Sequence, residues 1–532
     1  MSRNIFNTVQ ARKPSRNTFN LGHDVKMSLQ MGALVPFLCM EMLPGDVARL
    51  RGESLIRFAP LVAPVMHSVS VHMHYFFVPN RILWSDWERF ISPPTSAAAQ
   101  APPPAVPTMG QLSGSSANAV GSLSDYLGLP AGVTIPNGNV SAIPFAAYQT
   151  VYNEYYRDQN LNLIPPNTAA AESNSPWNHD VGLQNGNQPG ASGSGSQNSR
   201  LWTLRFRAWQ HDYFTGSLPF AQKGAAVSLP LGNFNDVPVY RASDNVDSGF
   251  TEWDSTTSSS ASLTRAENRM QEAIFDGELY AATSEIGATA ATINNLRVAM
   301  RTQEFLEKQA RGGSRYIEQI RMHFGVKSSD ARLQRPEFIG GTRNPVLISE
   351  VLQTSSSDAE TPQANMAGHG IAANTGKRFR YYAEEHGYII GIMSVTPKTA
   401  YQQGIPKHFL RADMYDYAWP TFAHIGEQEV LNKELFFAAD DNDDLTFGYV
   451  PRYAEYRYLP SRVAGEFRDT LSFWHFGRIF DTRPQLNNTF IECRPRQDPF
   501  AVTEEGNQNI WCHVFNSVKV SRALPKYGTP TL

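Results

Sequence analysis

The sequence predicts a β-rich fold with long loops and helical insertions. Three observations predict it: apolar–polar alternation of period two near both ends of the chain, 38 glycines and 35 prolines among 532 residues, and helical periodicity confined to the interior. The length exceeds that of a usual single domain, yet large β folds with long connections hold such chains around one core. With 41% hydrophobic and 18% charged residues, the composition is globular and somewhat charge-poor.

Residues 1–26 hold Arg3, Arg12, Lys13, Arg16 and Lys26 against Asp24 alone, a net of +4. They read as a basic arm before a single domain over 27–532. Strands are expected near 25–43, and most clearly in "HSVSVHMHYFFVP", 67–79. There Val69, Val71, Met73, Tyr75 and Phe77 share one face, with Ser68, Ser70, His72 and His74 opposite. "WSDWERF" offers a capping box, Ser85 with Glu88. "APPPAVPTMG", 101–110, breaks the chain. "FAAYQTVYNEYYRD" then places Tyr148, Tyr152 and either Tyr155 or Tyr156 on one helical face.

The segments 165–200 and 241–262 are polar and rich in Gly and Ser, so they read as exposed loops. "TINNLRVAMRTQEFLEKQARGG" runs as a helix from Thr292 to Gly312, and "SRYIEQIRMHFG" repeats the design up to Gly325. A strand is expected in "HGYIIGIMSVTP", 386–397. Another lies in "WCHVFNSVKVSRAL", where Cys512, Val514, Val518 and Val520 alternate with His513, Ser517, Lys519 and Ser521. Strands at both ends suggest one sheet system closed by its termini. Residues 506–532 hold Lys519, Arg522 and Lys526 with no acid, a net of +3. Set against −3 overall, the two basic ends leave −10 between them. Such a distribution is compatible with terminal contact to a polyanion.

Patterns for catalysis fail in turn. "GIAANTGKR" has one residue too many for a phosphate loop, and Arg378 where a hydroxyl is needed. No H-E-x-x-H occurs. "DDNDD", Asp440 to Asp444, lacks the glycine and glutamate of a calcium loop and reads as a solvated acidic turn. His72 and His74 could grip a metal only with a third ligand, and read instead as part of a polar sheet face. His211 beside Asp212 would face opposite sides of a strand, a poor acid–base pair. Neither an active site nor a cofactor or metal site is expected. The three cysteines, Cys39, Cys493 and Cys512, form no C-x-x-C and read as reduced, hence made in a cytoplasm. No signal peptide and no membrane span is expected.

"GYVPRYAEYRYLPSRVAGEFR", 448–468, interleaves Tyr449, Tyr453, Tyr456 and Tyr458 with Arg452, Arg457, Arg462 and Arg468. Such a stretch can stack single-stranded nucleic acid or rivet subunits together. Pro451 and Pro460 bracket it, so it is short and lies on an edge or loop. The structural reading takes precedence, with Arg452 and Arg457 kept as lesser nucleic-acid candidates.

Several stretches together resemble the major capsid protein of the small single-stranded DNA phages, the Microviridae, most closely the gokushovirus type. They are "YFFVPNRILWSDWERF" (75–90), "PFAAYQTVYNEYYRDQNL" (144–161), "HDYFTGSLPFAQKG" (211–224), the long segment 292–341, and "PRYAEYRYLPSRVAGEF" (451–467). The resemblance implies a viral jelly roll, an eight-stranded antiparallel β-barrel or sandwich with long insertions. It implies a T=1 icosahedral shell of identical copies around circular single-stranded DNA. Minor virion proteins, a scaffolding protein and a host cell-surface receptor are the further implied partners. The loops 165–200 and 241–290 would form the surface protrusion. The basic ends would meet the packaged DNA, through Arg3, Arg12, Lys13, Arg16, Lys519, Arg522 and Lys526. Two other readings, a sugar-binding or hydrolytic β protein and a free single-strand binding protein, lack respectively a carboxylate pair and a basic body.

Overall fold

The computed structural model describes residues 15–91, 104–109, 111–112, 117–136, 138–161, 199–224, 293–312, 334–352, 366–503 and 507–527. It also describes the short pieces 177–178, 182–183, 227, 239–241, 279–281 and 322. The helix expected over 314–325 and most of the loops 165–200 and 241–290 lie outside these residues. So do Arg3, Arg12 and Lys13.

In chain order the strands begin with β1 (Asn17–Asn20), β2 (His23–Leu29), β3 (Val35–Met42), β4 (Val47–Phe58) and β5 (Val69–Pro79). Two short hairpins follow, β6 (Trp177–Asn178) with β7 (Gly182–Leu183) and β8 (Val239–Arg241) with β9 (Leu279–Ala281). Then come β10 (Glu337–Pro345), β11 (Leu347–Leu352), β12 (Met366–Thr375), β13 (Phe379–Tyr382) and β14 (Gly387–Pro397). The chain ends with the hairpin β15 (Glu427–Leu431) and β16 (Thr446–Pro451), and with β17 (Ile510–Arg522).

Two antiparallel sheets organise these strands. One has seven strands and is built on β17 and β4, the other runs β10–β5–β14–β3. Take β2, β3, β4, β5, β10, β12, β14 and β17 as a ribbon folded at its middle. Then first pairs with last (β2–β17), second with seventh (β3–β14), third with sixth (β4–β12) and fourth with fifth (β5–β10). The β4–β17 and β5–β14 pairings join these hairpins into two sheets. That order is a jelly roll, two interlocked Greek keys. It is an open sandwich: the sheets do not close into a barrel, which narrows the barrel-or-sandwich expectation. β17 lies between β4 and the pair β1/β2, so both ends of the chain do meet in one sheet.

The core between the sheets follows from alternation. Leu50, Ile56, Phe58, Val514, Val518 and Val520 point inward from the first sheet, against Val69, Val71, Met73, Tyr75 and Phe77 from the second. Tyr75 sits edge-on to Phe37 at 5.4 Å and beside Phe379 at 5.6 Å. The other face of β5 and β14 is also buried. Phe76, Val78, Ile390 and Ile392 pack there with Trp84, Phe145 and Tyr148 in a second cluster. The face expected to be a polar sheet surface is therefore covered by the chain's own insertions.

The helix Ile143–Val151 does most of this covering and ends in a π turn, Tyr152–Tyr156, closed by the Arg157 amide donating to the Tyr152 carbonyl at 2.9 Å. The wider turn lets both Tyr155 and Tyr156 meet Phe76, at 4.8 and 6.0 Å between rings, where an α-helix would offer one of them.

Two observations bear on where the chain divides. Strands β1 and β2 occupy residues 17–29, so a basic arm ending at 26 would cut β2; the arm can reach only to about residue 16. Cα packing separates the chain into two compact units, Met1–Ala221 with Gly313–Leu532, and Gln222–Gly312. The second unit contains the expected helix, Ile293–Gly312. No described helix is long and apolar enough to cross a membrane.

Candidate subunit and nucleic-acid interface

The Tyr/Arg stretch 448–468 continues the β15–β16 hairpin. Tyr449 ties that hairpin to Leu218 through two 2.8 Å backbone hydrogen bonds. β16 ends at Pro451, and the chain then turns sharply: Tyr453 takes a left-handed conformation (φ 63°) and Ala454–Tyr456 is a 3-10 turn. Residues 452–459 are thus not extended, and their side chains do not alternate between two faces.

The turn engages Arg452, Tyr453 and Tyr456 in contacts within the chain. Tyr453 is buried; its amide donates to Gln428 Oε1 at 3.0 Å and its hydroxyl accepts from the Trp419 amide at 3.3 Å. Tyr456 lies under the Arg411 guanidinium, 4.5 Å from its centroid, and accepts from the Ala418 amide. Gln428 Nε2 donates to Glu455 at 2.6 Å, and Glu455 faces Arg411 at 3.8 Å. Arg452 lies over the Tyr453 ring at 4.9 Å, beside a cavity of about 430 Å³ lined with charges of both signs. Tyr456 keeps its outer face exposed, and Arg457, Tyr458 and Leu459 are exposed as well. The sequence could not reveal Arg411, forty-five residues upstream, as the cation that takes Tyr456.

The other chemical candidates are also absorbed into structure. Asp212 accepts from the amides of Phe214 and Thr215 with one oxygen and from the Tyr401 hydroxyl, at 2.7 Å, with the other. It fixes a turn and is no partner for His211. Asp440 and Asp443 cap a 3-10 turn and are bridged by Arg483, each at 2.6 Å. Arg483 holds the Asp440 carboxyl below the usual carboxylate range. The acidic run is therefore fastened to the protein through Asp440 and the buried Asp443, while Asp441 and Asp444 stay exposed as in a solvated turn.

His74 stacks on Tyr156 at 6.0 Å, and its Nδ1 shares a 2.7 Å hydrogen bond with the tyrosine hydroxyl. Burial first, then the nearby Arg207, pushes His74 down to about 4; the same two causes, with His74 and Arg343, push His72 down to about 3. Both rings are neutral near pH 7. Among the described residues no cluster of three His, Cys, Asp or Glu could hold a metal ion. Cys512 is buried, and that burial raises its thiol to about 12, so it serves as a small core residue.

The terminal cations divide. Arg16 is exposed beside Gly45. Lys519 points outward from β17, and Lys526 is exposed next to the Tyr527 ring. Arg522 is committed inward: its Nε meets the buried Asp46 carboxylate at 2.8 Å, and a second nitrogen donates to the Glu41 carbonyl. The structure does not gather these cations with Arg452 and Arg457 into one site.

Comparison with known proteins gives a consistent result. The family model described as "Capsid protein (F protein)" matches residues 7–532. The chain is similar to the capsid protein VP1 of Chlamydia phage 1, 33% identical over 602 residues that span 100% of this chain and 98% of that one. It is 34% identical over 543 residues to the capsid protein VP1 of Bdellovibrio phage phiMH2K, with 97% and 95% covered. To the capsid protein VP1 of Spiroplasma virus 4 it is 29% identical over 564 residues, again with 97% and 95% covered.

Proposed function

The chain belongs to the F-protein family of phage capsid proteins, as a major capsid protein of the Microviridae, and from that premise we propose that its copies close into a T=1 icosahedral shell around a circular single-stranded DNA genome. One observation carries this reading: the family match over residues 7–532 coincides with a jelly-roll pairing order and takes in the insertions as well. A bare sandwich has little surface for holding several neighbours at once. Insertions such as 80–161, and the hairpin β15–β16 with its rigid Tyr/Arg turn, enlarge it. Repeated heterologous contacts between copies then close about five-, three- and two-fold axes.

The finer assignments follow the same premise. The segment 1–16, with Arg3, Arg12, Lys13 and Arg16, lines the interior and neutralises packaged phosphates, joined by Lys519 and Lys526. The loops 165–200 and 241–290 form the outer protrusion that meets the host surface. A scaffolding protein and minor virion proteins assist closure, and assembly takes place in the bacterial cytoplasm.

Sedimentation and negative-stain microscopy of the purified full-length chain, alone and with its phage's other virion proteins, test the shell. Uniform closed particles are expected. A monomer at every concentration and in every mixture would overturn the reading.

A further inference from the structure

The outward face of the seven-stranded sheet carries a chemistry that folding does not account for. Antiparallel register sets Lys519 of β17 directly opposite Arg49 of β4, and Arg49 directly opposite Arg380 of β13. All three side chains are exposed. Like charges placed directly opposite on neighbouring strands repel, so this row works against the sheet that bears it. Lys26, Arg51 and Arg57 extend the same face, because Lys26 lies opposite the outward His513 and Arg57 opposite the outward Trp511. Against these six cations stand two outward carboxylates: Glu53, held by Arg51 at 3.0 Å, and Asp24, held by His513 at 3.2 Å. Among the described residues Lys26, Arg49, Arg57, Arg380 and Lys519 enter no ion pair. A chain of net charge −3 thus keeps one strongly positive sheet face.

Aromatic groups are interleaved with that charge. Trp511 is 51% exposed and Phe515 41%, both on the outward side of β17. Trp511 lines a groove of about 420 Å³ together with Lys26, Leu55, Arg57 and His513. Eight residues separate Trp511 from Lys519 along one strand. At roughly 3.4 Å per residue that is about 27 Å, a track long enough for several nucleotides. A flat aromatic with cations on either side, followed by a cationic track, is how proteins hold single strands without reading sequence.

We propose that this sheet face is the shell's genome-binding surface, with a base of single-stranded DNA stacked on Trp511 in its groove and the phosphate backbone crossing the Lys519–Arg49–Arg380 row. The assignment rests on the shell reading for its ligand, and charge complementarity selects DNA over a neighbouring protein as the occupant. It adds to the tail assignment a folded site that joins Lys26 and Lys519 of the basic ends to Arg49, Arg57 and Arg380, which the charge of the ends does not reveal.

Binding of a fluorescent oligo-dT to the purified full-length chain, measured over a series of salt concentrations, tests it. The triple variant Arg49→Gln, Arg380→Gln, Lys519→Gln is expected to reduce the slope of log K against log salt by about two, at about 0.7 per phosphate contact on single strands. Trp511→Ala is expected to weaken binding by at least about fivefold with little change in slope, and Trp511→Phe to restore most of it. Arg301→Gln, a highly exposed cation in the other compact unit, serves as the charge control and should change little. Thermal melts confirm that each variant is folded. Unchanged affinity and slope in folded triple and Trp511 variants, from a wild type that does assemble, would overturn this site alone. Variants that bind oligo-dT normally but no longer close shells would overturn it in favour of a protein contact. A wild type that binds through these residues yet never assembles would leave the site standing and sink the shell reading.

Discussion

Tyr148 shows how one polar atom fixes an insertion to the sandwich. It is fully buried; its hydroxyl donates to the Leu34 carbonyl at 2.8 Å and accepts from the Arg205 amide at 3.0 Å. Tyr148→Phe strands a buried donor and a buried acceptor while preserving the ring. Chemical unfolding should register a loss of about 1–3 kcal/mol. His74 gives a pH dependence whose sign follows from its burial. A histidine in the unfolded chain titrates near 6.5, whereas in the fold His74 titrates at about 4 and His72 at about 3. Between those values the unfolded chain binds more protons, so stability is complete above about 6.5 and declines as pH falls toward 4. His74→Gln removes one of these protons. The urea midpoint of that variant should fall less steeply than the wild type's over this range, and parallel curves would refute the assignment.

At the scale of the element, the sequence was most legible where alternation was clean. β5, β14 and β17 appear where period two places them. The long helix, Ile293–Gly312, stands where its 3.6-residue pattern does. β4 is not legible in the sequence, and Gly52 and Ser54 explain why. They interrupt its apolar face at Ala48, Leu50, Ile56 and Phe58. A Cβ at Gly52 would run into the Tyr75 hydroxyl, so the gap in the pattern is the space a bulky residue of the facing sheet fills. The same trade hides β10 and β12, where Gly340 makes room for Phe379 and Gly370 for Phe58. Gly52→Ala should therefore overpack a core in which Phe37 and Phe379 already confine Tyr75. A loss of about 1–3 kcal/mol in thermal or urea unfolding is expected. That the Tyr/Arg stretch is short and lies at a strand's end was legible from its prolines. Its left-handed Tyr453 and its Arg411 partner were not, because both depend on a fold that brings 411–419 against 453–456.

For the whole molecule, the position of β1 and β2 separates two truncations that look alike in sequence. Removing residues 1–16 deletes four candidate DNA contacts and none of the described strands; shells should still form, with lower DNA content measured by absorbance ratio. Removing residues 1–29 also takes β1 and β2 away from β17 and leaves that strand's outer edge unpaired. Aggregation in place of shells is expected from that chain. The jelly-roll order, the insertions that cover one sheet, and the cationic outward face of the other leave two different surfaces for the neighbours and the genome of the proposed function. Cryo-electron microscopy of particles assembled from the full-length chain tests this most directly. A T=1 reconstruction with one copy per asymmetric unit is expected, with the β4–β17 sheet face turned inward against DNA density. Closed particles whose β4–β17 face points to solvent or lies buried between subunits, or the absence of any closed particle, would contradict it.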